Sequence, residues 1–366
     1  MRVLFSGGGT GGHVYPALAV AAALAQELSS AEGLQALYVG TARGAERELV
    51  ARAGLPFRAV DAGAVRGRSP WGLATSTLKL ARGVTQARAL IAQFRPQAIL
   101  TTGGYASIPL AVAARTSDRL PLVVYLPDVR PGWAVHLMSR LAQRVAVTSD
   151  RSLLYFPPGK AVACGYPVRD TFWQVNKIDG RRRLGLDAEE RVLLVAGATH
   201  GARSLNRIVA KHLPQVLELC QLIHLSGRAD QPRLDRLHRD LPDRLRSRYH
   251  LHAYLYDELP WAMAAADLAV MRAGASVMGE LPATALPAIL VPYPYAGGHQ
   301  RHNARYLADA GAALVVEDDK LNGFLPLVGE LLADEPRRAT MAEAARRLAR
   351  PDAARNIARL LLEVAR

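Results

Sequence analysis

Val3-Leu-Phe-Ser-Gly-Gly-Gly-Thr-Gly-Gly-His-Val-Tyr-Pro16 is the stretch whose reading decides the fold. Val3, Leu4 and Phe5 read as a short buried strand, and the next seven residues are glycine or small and polar. Pro16 is expected to open an alanine-rich helix that runs to about Leu28. A strand, a glycine loop and a helix start leave backbone N–H groups at the positive end of a helix dipole, and missing Cβ atoms let a ligand approach the main chain. The expected guest is a diphosphate. His13 stands at the mouth of this loop, where an imidazole can take or give a proton near neutral pH. The alternative is a histidine that only caps backbone groups.

Working outward, the same grammar repeats. Strands expected at 36–39, 57–60, 98–102, 122–125 and 145–147 alternate with helices, so the class is α/β with parallel sheets, and six strands complete a Rossmann-like unit by about Ala163. Thr102 runs into Gly103-Gly-Tyr-Ala-Ser-Ile-Pro109, either a second anion-friendly corner or a tight turn that only lets helix and sheet approach. Pro157-Pro158 and Gly165-Tyr-Pro167 mark a domain boundary. Arg191-Val-Leu-Leu-Val-Ala-Gly-Ala-Thr-His-Gly-Ala-Arg-Ser-Leu-Asn206 then restarts the pattern with an apolar strand, a loop holding Gly197 and Gly201, and a helix start. Further on, Arg272-Ala-Gly-Ala-Ser-Val-Met-Gly-Glu280 follows another strand. Gly274 is expected to allow the turn and Ser276 to cap the helix, while Glu280 either grips a ribose diol or simply favours the helix start. Gly297-Gly-His-Gln300 begins another helix with side chains that suit sugar hydroxyls or serve as caps. The last helix is expected to cross back over the first domain. Two doubly wound domains result, 1–165 with the helix at 351–366, and 166–350, each facing a shared central cleft.

A chain of 366 residues, half of them hydrophobic, suits a two-domain enzyme, and no apolar run is long enough to span a bilayer. The start lacks the layout of a signal peptide, so a cytoplasmic location is expected. Cys164 and Cys220 have no metal-like spacing, which argues against a zinc site or a disulfide framework. The net charge of +14 fits nucleic acid, anionic lipid or phosphorylated substrates alike. In the helix that opens at Ser69-Pro70, the expected core face is Leu73, Thr77, Leu80, Val84, Ala87, Ile91 and Phe94. Trp71 and Leu78 fall off it, beside Arg66, Arg68, Lys79 and Arg82, as on a helix resting on an anionic leaflet or on an ordinary solvated one. No RNA- or DNA-binding motif accompanies the charge, so nucleic acid is not an expected partner. Gly7-x-Gly9-x-x-Gly12 formally satisfies the dinucleotide fingerprint, but Leu37-Tyr-Val-Gly-Thr41 lacks the acidic residue such a site needs.

Residues 7–16, 102–109, 197–206, 272–280 and 299–303, in this order and spacing, resemble the MurG family of glycosyltransferase family 28 over nearly the whole chain. The Gly-Gly-Thr-Gly-Gly-His and Thr-Gly-Gly-Tyr segments carry the likeness most specifically. The resemblance implies a GT-B fold and an inverting, metal-independent N-acetylglucosaminyltransferase with no cofactor. Its donor would be UDP-GlcNAc, held mainly by the C-terminal domain. Its acceptor would be lipid I, the undecaprenyl-diphosphate-linked muramyl-pentapeptide, whose C4 hydroxyl receives the sugar to give lipid II of peptidoglycan. The enzyme would be peripheral, on the anionic cytoplasmic face of the cell membrane.

By the same resemblance, Thr10, Gly11 and Gly12 lie at the donor diphosphate and sugar, and His13 is the base. Arg169 is a donor-binding arginine, Thr199 faces the donor phosphates, Tyr256 lies near uracil, and Asp128 stands at a donor contact. Ala275, Ser276, Val277, Met278, Gly279 and Glu280 form the nucleoside corner, Gln300 reads the GlcNAc hydroxyls, and Gly103, Gly104 and Tyr105 form the acceptor or diphosphate loop. The chain departs from the family pattern in four places. Tyr125-Leu-Pro-Asp128 replaces His-Glu-Gln-Asn, Gly197-Ala-Thr-His-Gly201 replaces Gly-Gly-Ser-Gln-Gly, Tyr166 replaces an asparagine, and Pro282 an alanine. The alternatives are a divergent GT-B transferase with another UDP-sugar or lipid acceptor, and a basic nucleic-acid- or membrane-binding protein without catalysis.

Overall fold

Nearly continuous apolar runs become the short inner strands, buried on both faces, as parallel sheets with helices over them require. The computed structural model describes residues 1–28, 33–42, 44, 46–63, 70–117, 120–197, 201–295 and 298–365, with the backbone alone for 70–74. Two compact units emerge, Met1–Arg169 with Arg350–Arg366, and Asp170–Ala349.

In the first unit, β1 (Arg2–Ser6), β2 (Gln35–Gly40), β3 (Phe57–Ala59), β4 (Ala98–Thr101), β5 (Leu122–Leu126), β6 (Arg144–Val147) and β7 (Ala161–Ala163) make one parallel sheet in the order β3-β2-β1-β4-β5-β6-β7. The second unit has β8 (Val192–Ala196), β9 (Gln221–Leu225), β10 (Tyr249–His252), β11 (Leu268–Met271), β12 (Ala288–Leu290) and β13 (Ala313–Val315), in the order β10-β9-β8-β11-β12-β13. Both are doubly wound, Rossmann-like layers. The first sheet therefore gains a seventh strand over the six expected. β7 and β13 have three residues each, Ala-Val-Ala and Ala-Leu-Val, too short to stand out by periodicity.

Asp267, just before β11, anchors the bottom of the second sheet. Its carboxylate accepts from Lys177 at 2.5 Å, from buried Arg181 at 2.8 Å and from the Val192 N–H at 2.7 Å, tying β8 to β11 before either strand begins.

Two local expectations change. The first helix is Gly11–Glu27, so Pro16 lies inside it as the sixth residue instead of opening it. In the helix Pro70–Phe94, Ser76, Gly83, Ala87 and Ile91 are buried while Thr77 is exposed, so the inward stripe is shifted by one residue at its start. Leu73 and Trp71 have side chains outside the described set, as do Arg66, Arg68 and Ser69 entirely.

The last helix, Ala353–Val364, returns to the first unit and packs on Gly11–Glu27 and on β4, β5 and β6. It buries Ala353, Ile357, Ala358, Leu360 and Leu361. Each of the larger aliphatic side chains contributes about 1.5–3 kcal/mol on burial. Arg355 and Arg359 each reach Glu27 at 3.4 Å along its rim.

Candidate active site

Both sheets reverse their direction of growth between two neighbouring strands, β1 and β4 in the first unit, β8 and β11 in the second. Loops leaving such a pair diverge and open a crevice at the carboxyl ends of the strands. The glycine loop and Gly103-Gly-Tyr105 flank the first crevice, and the loops starting at Gly197 and Arg272 flank the second.

His13, half-buried, reaches across the first crevice. Its Nδ1 lies 2.7 Å from the Thr102 carbonyl oxygen. A carbonyl only accepts, so Nδ1 carries the hydrogen and the neutral ring presents Nε2 as its acceptor. Thr102 grips the same residue a second time, its hydroxyl donating to the His13 carbonyl at 2.5 Å. Thr102 is itself fixed, its N–H donating to the Ser6 carbonyl at 2.8 Å. Gly103 has φ +100°, and a Cβ there would stand 3.0 Å from His13 Nδ1, so both the backbone and the imidazole demand glycine.

Beneath the glycine loop lies a buried carboxylate that the sequence pattern does not reveal. Glu46, 1% exposed, accepts from the Thr41 N–H at 2.9 Å, the Thr41 hydroxyl at 2.6 Å and the Gly9 N–H at 3.5 Å. The Gly8 N–H donates to the Gly103 carbonyl at 3.3 Å. These two amides thus face the protein, not an outside anion. Thr10 is the extended residue before the helix and makes no side-chain cap bond, while Gly11 and Gly12 are helical.

The other first-unit candidates surround this corner. Tyr105 packs against Trp133, ring centres 6.5 Å apart, and Trp133 keeps 45% of its surface exposed. The Arg169 guanidinium stacks over the Tyr15 ring at 4.7 Å. Asp128, half-buried, follows β5, whose buried Tyr125 donates its hydroxyl to the Gly165 carbonyl at 3.1 Å. Burial raises the Tyr125 phenol well above its ordinary range.

In the second unit, Thr199 lies outside the described residues. Gly201 has φ +77°, and a Cβ there would clash with the Ser226 carbonyl, so the turn requires glycine. Arg272, buried, spans the crevice: it donates to Ser204 Oγ at 2.7 Å and to the Val291 carbonyl at 3.2 Å, and pairs with Asp318 at 2.6 Å. Ala275, Val277, Met278, Gly279 and Glu280 are buried and Ser276 half-buried. Ser276 precedes the helix Val277–Thr284 but makes no side-chain cap bond. Gly274 has no positive φ, and a Cβ placed on it would meet nothing within 4 Å, so the turn does not require glycine there. What holds this turn is Asn303, whose amide donates to the Ala273 carbonyl at 3.1 Å.

Gln300 accepts from the Tyr293 N–H at 2.9 Å and so closes its own loop. Tyr256 accepts from Arg228 at 3.1 Å, with its ring 4.5 Å from that of Tyr254. A buried polar chain under the Gly201 turn is likewise hidden from the sequence pattern. His224 accepts from the Tyr249 hydroxyl at 2.9 Å through Nδ1 and donates from Nε2 to Asn206 Oδ1 at 3.0 Å, and Asn206 donates to the Ser226 carbonyl and to Asp230, each at 2.7 Å. Burial pushes His224 down to about 3, so the ring is neutral. Of these residues only Asn206 falls within a motif, and its partners are set by strand pairing that sequence spacing does not display.

Residues 3–147 match the glycosyltransferase family 28 N-terminal domain, and residues 192–357 the glycosyltransferase family 28 C-terminal domain. The UDP-N-acetylglucosamine--N-acetylmuramyl-(pentapeptide) pyrophosphoryl-undecaprenol N-acetylglucosamine transferase of a Roseiflexus species is 43% identical, over 99% of this chain and 94% of the relative. The protein of the same name from Halothermothrix orenii is 34% identical over the full length of both. Among solved structures, MurG of Acinetobacter baumannii superposes with a TM-score of 0.72 at 25% identity, covering 99% of each chain. A UDP-GlcNAc 2-epimerase from Neisseria meningitidis reaches 0.73 at 14% identity, a likeness of fold alone.

Proposed function

The chain belongs to glycosyltransferase family 28, and on that premise we propose that it moves N-acetylglucosamine from UDP-GlcNAc to the C4 hydroxyl of the muramyl sugar of lipid I, giving lipid II. It is a glycosyltransferase of GT-B type, acting in peptidoglycan synthesis. The observation that carries the chemistry is the pairing of His13 Nδ1 with the Thr102 carbonyl at 2.7 Å. It leaves Nε2 as the acceptor nitrogen, which serves as the base in this reading. As the C4 oxygen attacks the anomeric carbon, its proton passes to Nε2, the bond from that carbon to the UDP oxygen breaks, and the configuration inverts. The Thr102 carbonyl then stabilises the imidazolium through the N–H it already accepts.

UDP departs as an anion and needs positive partners. Arg169 and the amides at the start of the helix Arg203–Lys211 fill that role in this reading, while Glu280 holds the ribose hydroxyls and Gln300 the GlcNAc hydroxyls. Thr10, Gly11 and Gly12 bear on the donor, and Gly103, Gly104 and Tyr105 on the acceptor. The test is UDP release from UDP-GlcNAc with and without a lipid I analogue. Release that depends on the analogue is expected, and release indifferent to it, or none with it, would sink the reading.

A lipid-linked acceptor calls for a protein at the membrane surface, peripheral and on the cytoplasmic face. Among the described residues no helix is long and apolar enough to cross a membrane. The helix Pro70–Phe94 exposes 63% of Leu78 beside exposed Lys79 and Arg82, an apolar side chain among cations. Reversing the charge at Lys79 and Arg82 is expected to weaken sedimentation with anionic vesicles while leaving turnover of a soluble acceptor analogue intact. Equal sedimentation of the variant would remove this surface from the account.

A further inference from the structure

Pro16 has no N–H, so the carbonyl four residues back, that of Gly12, lacks the donor that a helix ordinarily supplies. The Tyr166 hydroxyl takes that place, donating to the Gly12 carbonyl at 3.0 Å. Tyr166 is 3% exposed, and its ring packs edge-on against buried Tyr125 with centres 6.4 Å apart. Three residues later, Arg169 stacks on Tyr15. The segment from Tyr166 to Arg169 therefore grips the first turn of the helix at Gly12 and at Tyr15, and His13 lies between the two grips. Thr102 holds His13 from the other side.

We propose that Tyr166 is a positioning residue for the transfer: its phenol makes the hydrogen bond that Pro16 withholds from Gly12, and so fixes the turn from which His13 meets the acceptor hydroxyl. A carbonyl released by proline inside a helix is a fixed acceptor with one direction open. Using it ties residue 12 to residue 166, far apart in sequence, through a single bond whose loss lets the turn, and the imidazole on it, shift. This role deepens the reading of His13 as the base and rests on it.

Tyr166→Phe removes only the hydroxyl. It is expected to lower kcat by about tenfold or more, since a displaced base slows the chemical step, and to raise the KM for UDP-GlcNAc by a smaller factor, because Gly12 at the other end of the bond bears on the donor. Pro16→Ala returns an N–H that can satisfy the Gly12 carbonyl from within the helix. The double variant should therefore recover most of the lost kcat. An equal loss in the single and double variants, or no loss in the single one, overturns the assignment. Should Tyr166→Phe fail to fold, the added Pro16→Ala must restore both folding and turnover, and its failure to do so counts equally against it. His13→Ala, run in parallel, separates the two claims. Turnover that survives His13→Ala removes the base itself, whereas turnover lost there but normal in Tyr166→Phe removes only the part given to Tyr166.

Discussion

Replacing His13 with alanine is expected to lower kcat by about a thousandfold, the range in which a positioned general base acts. His13 faces Thr102 on one side only, through Nδ1 and its own carbonyl, so the substitution deletes Nε2 without stranding a buried charge. The Thr102 hydroxyl keeps its bond, because its acceptor is the main chain of residue 13. The Thr102 carbonyl loses its donor, so the unfolding midpoint should fall modestly, as for one lost hydrogen bond, while the KM for UDP-GlcNAc should change little. Normal turnover by a folded His13→Ala protein would end the assignment of the base.

The second large effect is expected in acid and concerns stability. His224, fully buried, has its folded value pushed down to about 3 from an ordinary 6.5, with desolvation as the main cause. Below pH 6.5 the unfolded chain takes a proton that the folded one refuses. Stability is therefore unaffected above that pH and falls as the pH drops toward 3, by about 1.4 kcal/mol per pH unit for one such group. Both ring nitrogens are already engaged, so a second proton would also break the bond accepted from Tyr249. His224→Gln should flatten this slope relative to the parent between about pH 6 and 4 in urea unfolding, while being less stable at pH 7. Parallel pH profiles for the two proteins would show that the folded His224 takes up its proton at an ordinary value.

The glycine loop, the α/β alternation and the order of the candidate motifs are legible in the sequence because each depends on neighbours a few residues away. Pro16 misleads for a physical reason: proline is most at home in the first turn, and nothing nearby reveals that Tyr166 satisfies the carbonyl it leaves open. Ser276 and Gly274 look like cap and turn by type, yet Asn303 holds that corner from thirty residues away in the chain. Glu46 stands in none of the motifs, and only the fold shows it buried beneath Gly9. The network of His224, Asn206, Tyr249 and Asp230 is assembled by the pairing of β9 with β8 and β10, which local periodicity cannot express.

The return of the helix Ala353–Val364 onto the first helix has a bearing on birth at the ribosome. When residues 1–169 have left the exit tunnel, their sheet still lacks the cover that Ile357, Leu360 and Leu361 later provide, whereas residues 170–349 can close their own core with everything already in hand. The portion translated first is thus the last to be sealed. A nascent chain halted anywhere before the 350s would carry an oily face with nothing yet made to cover it.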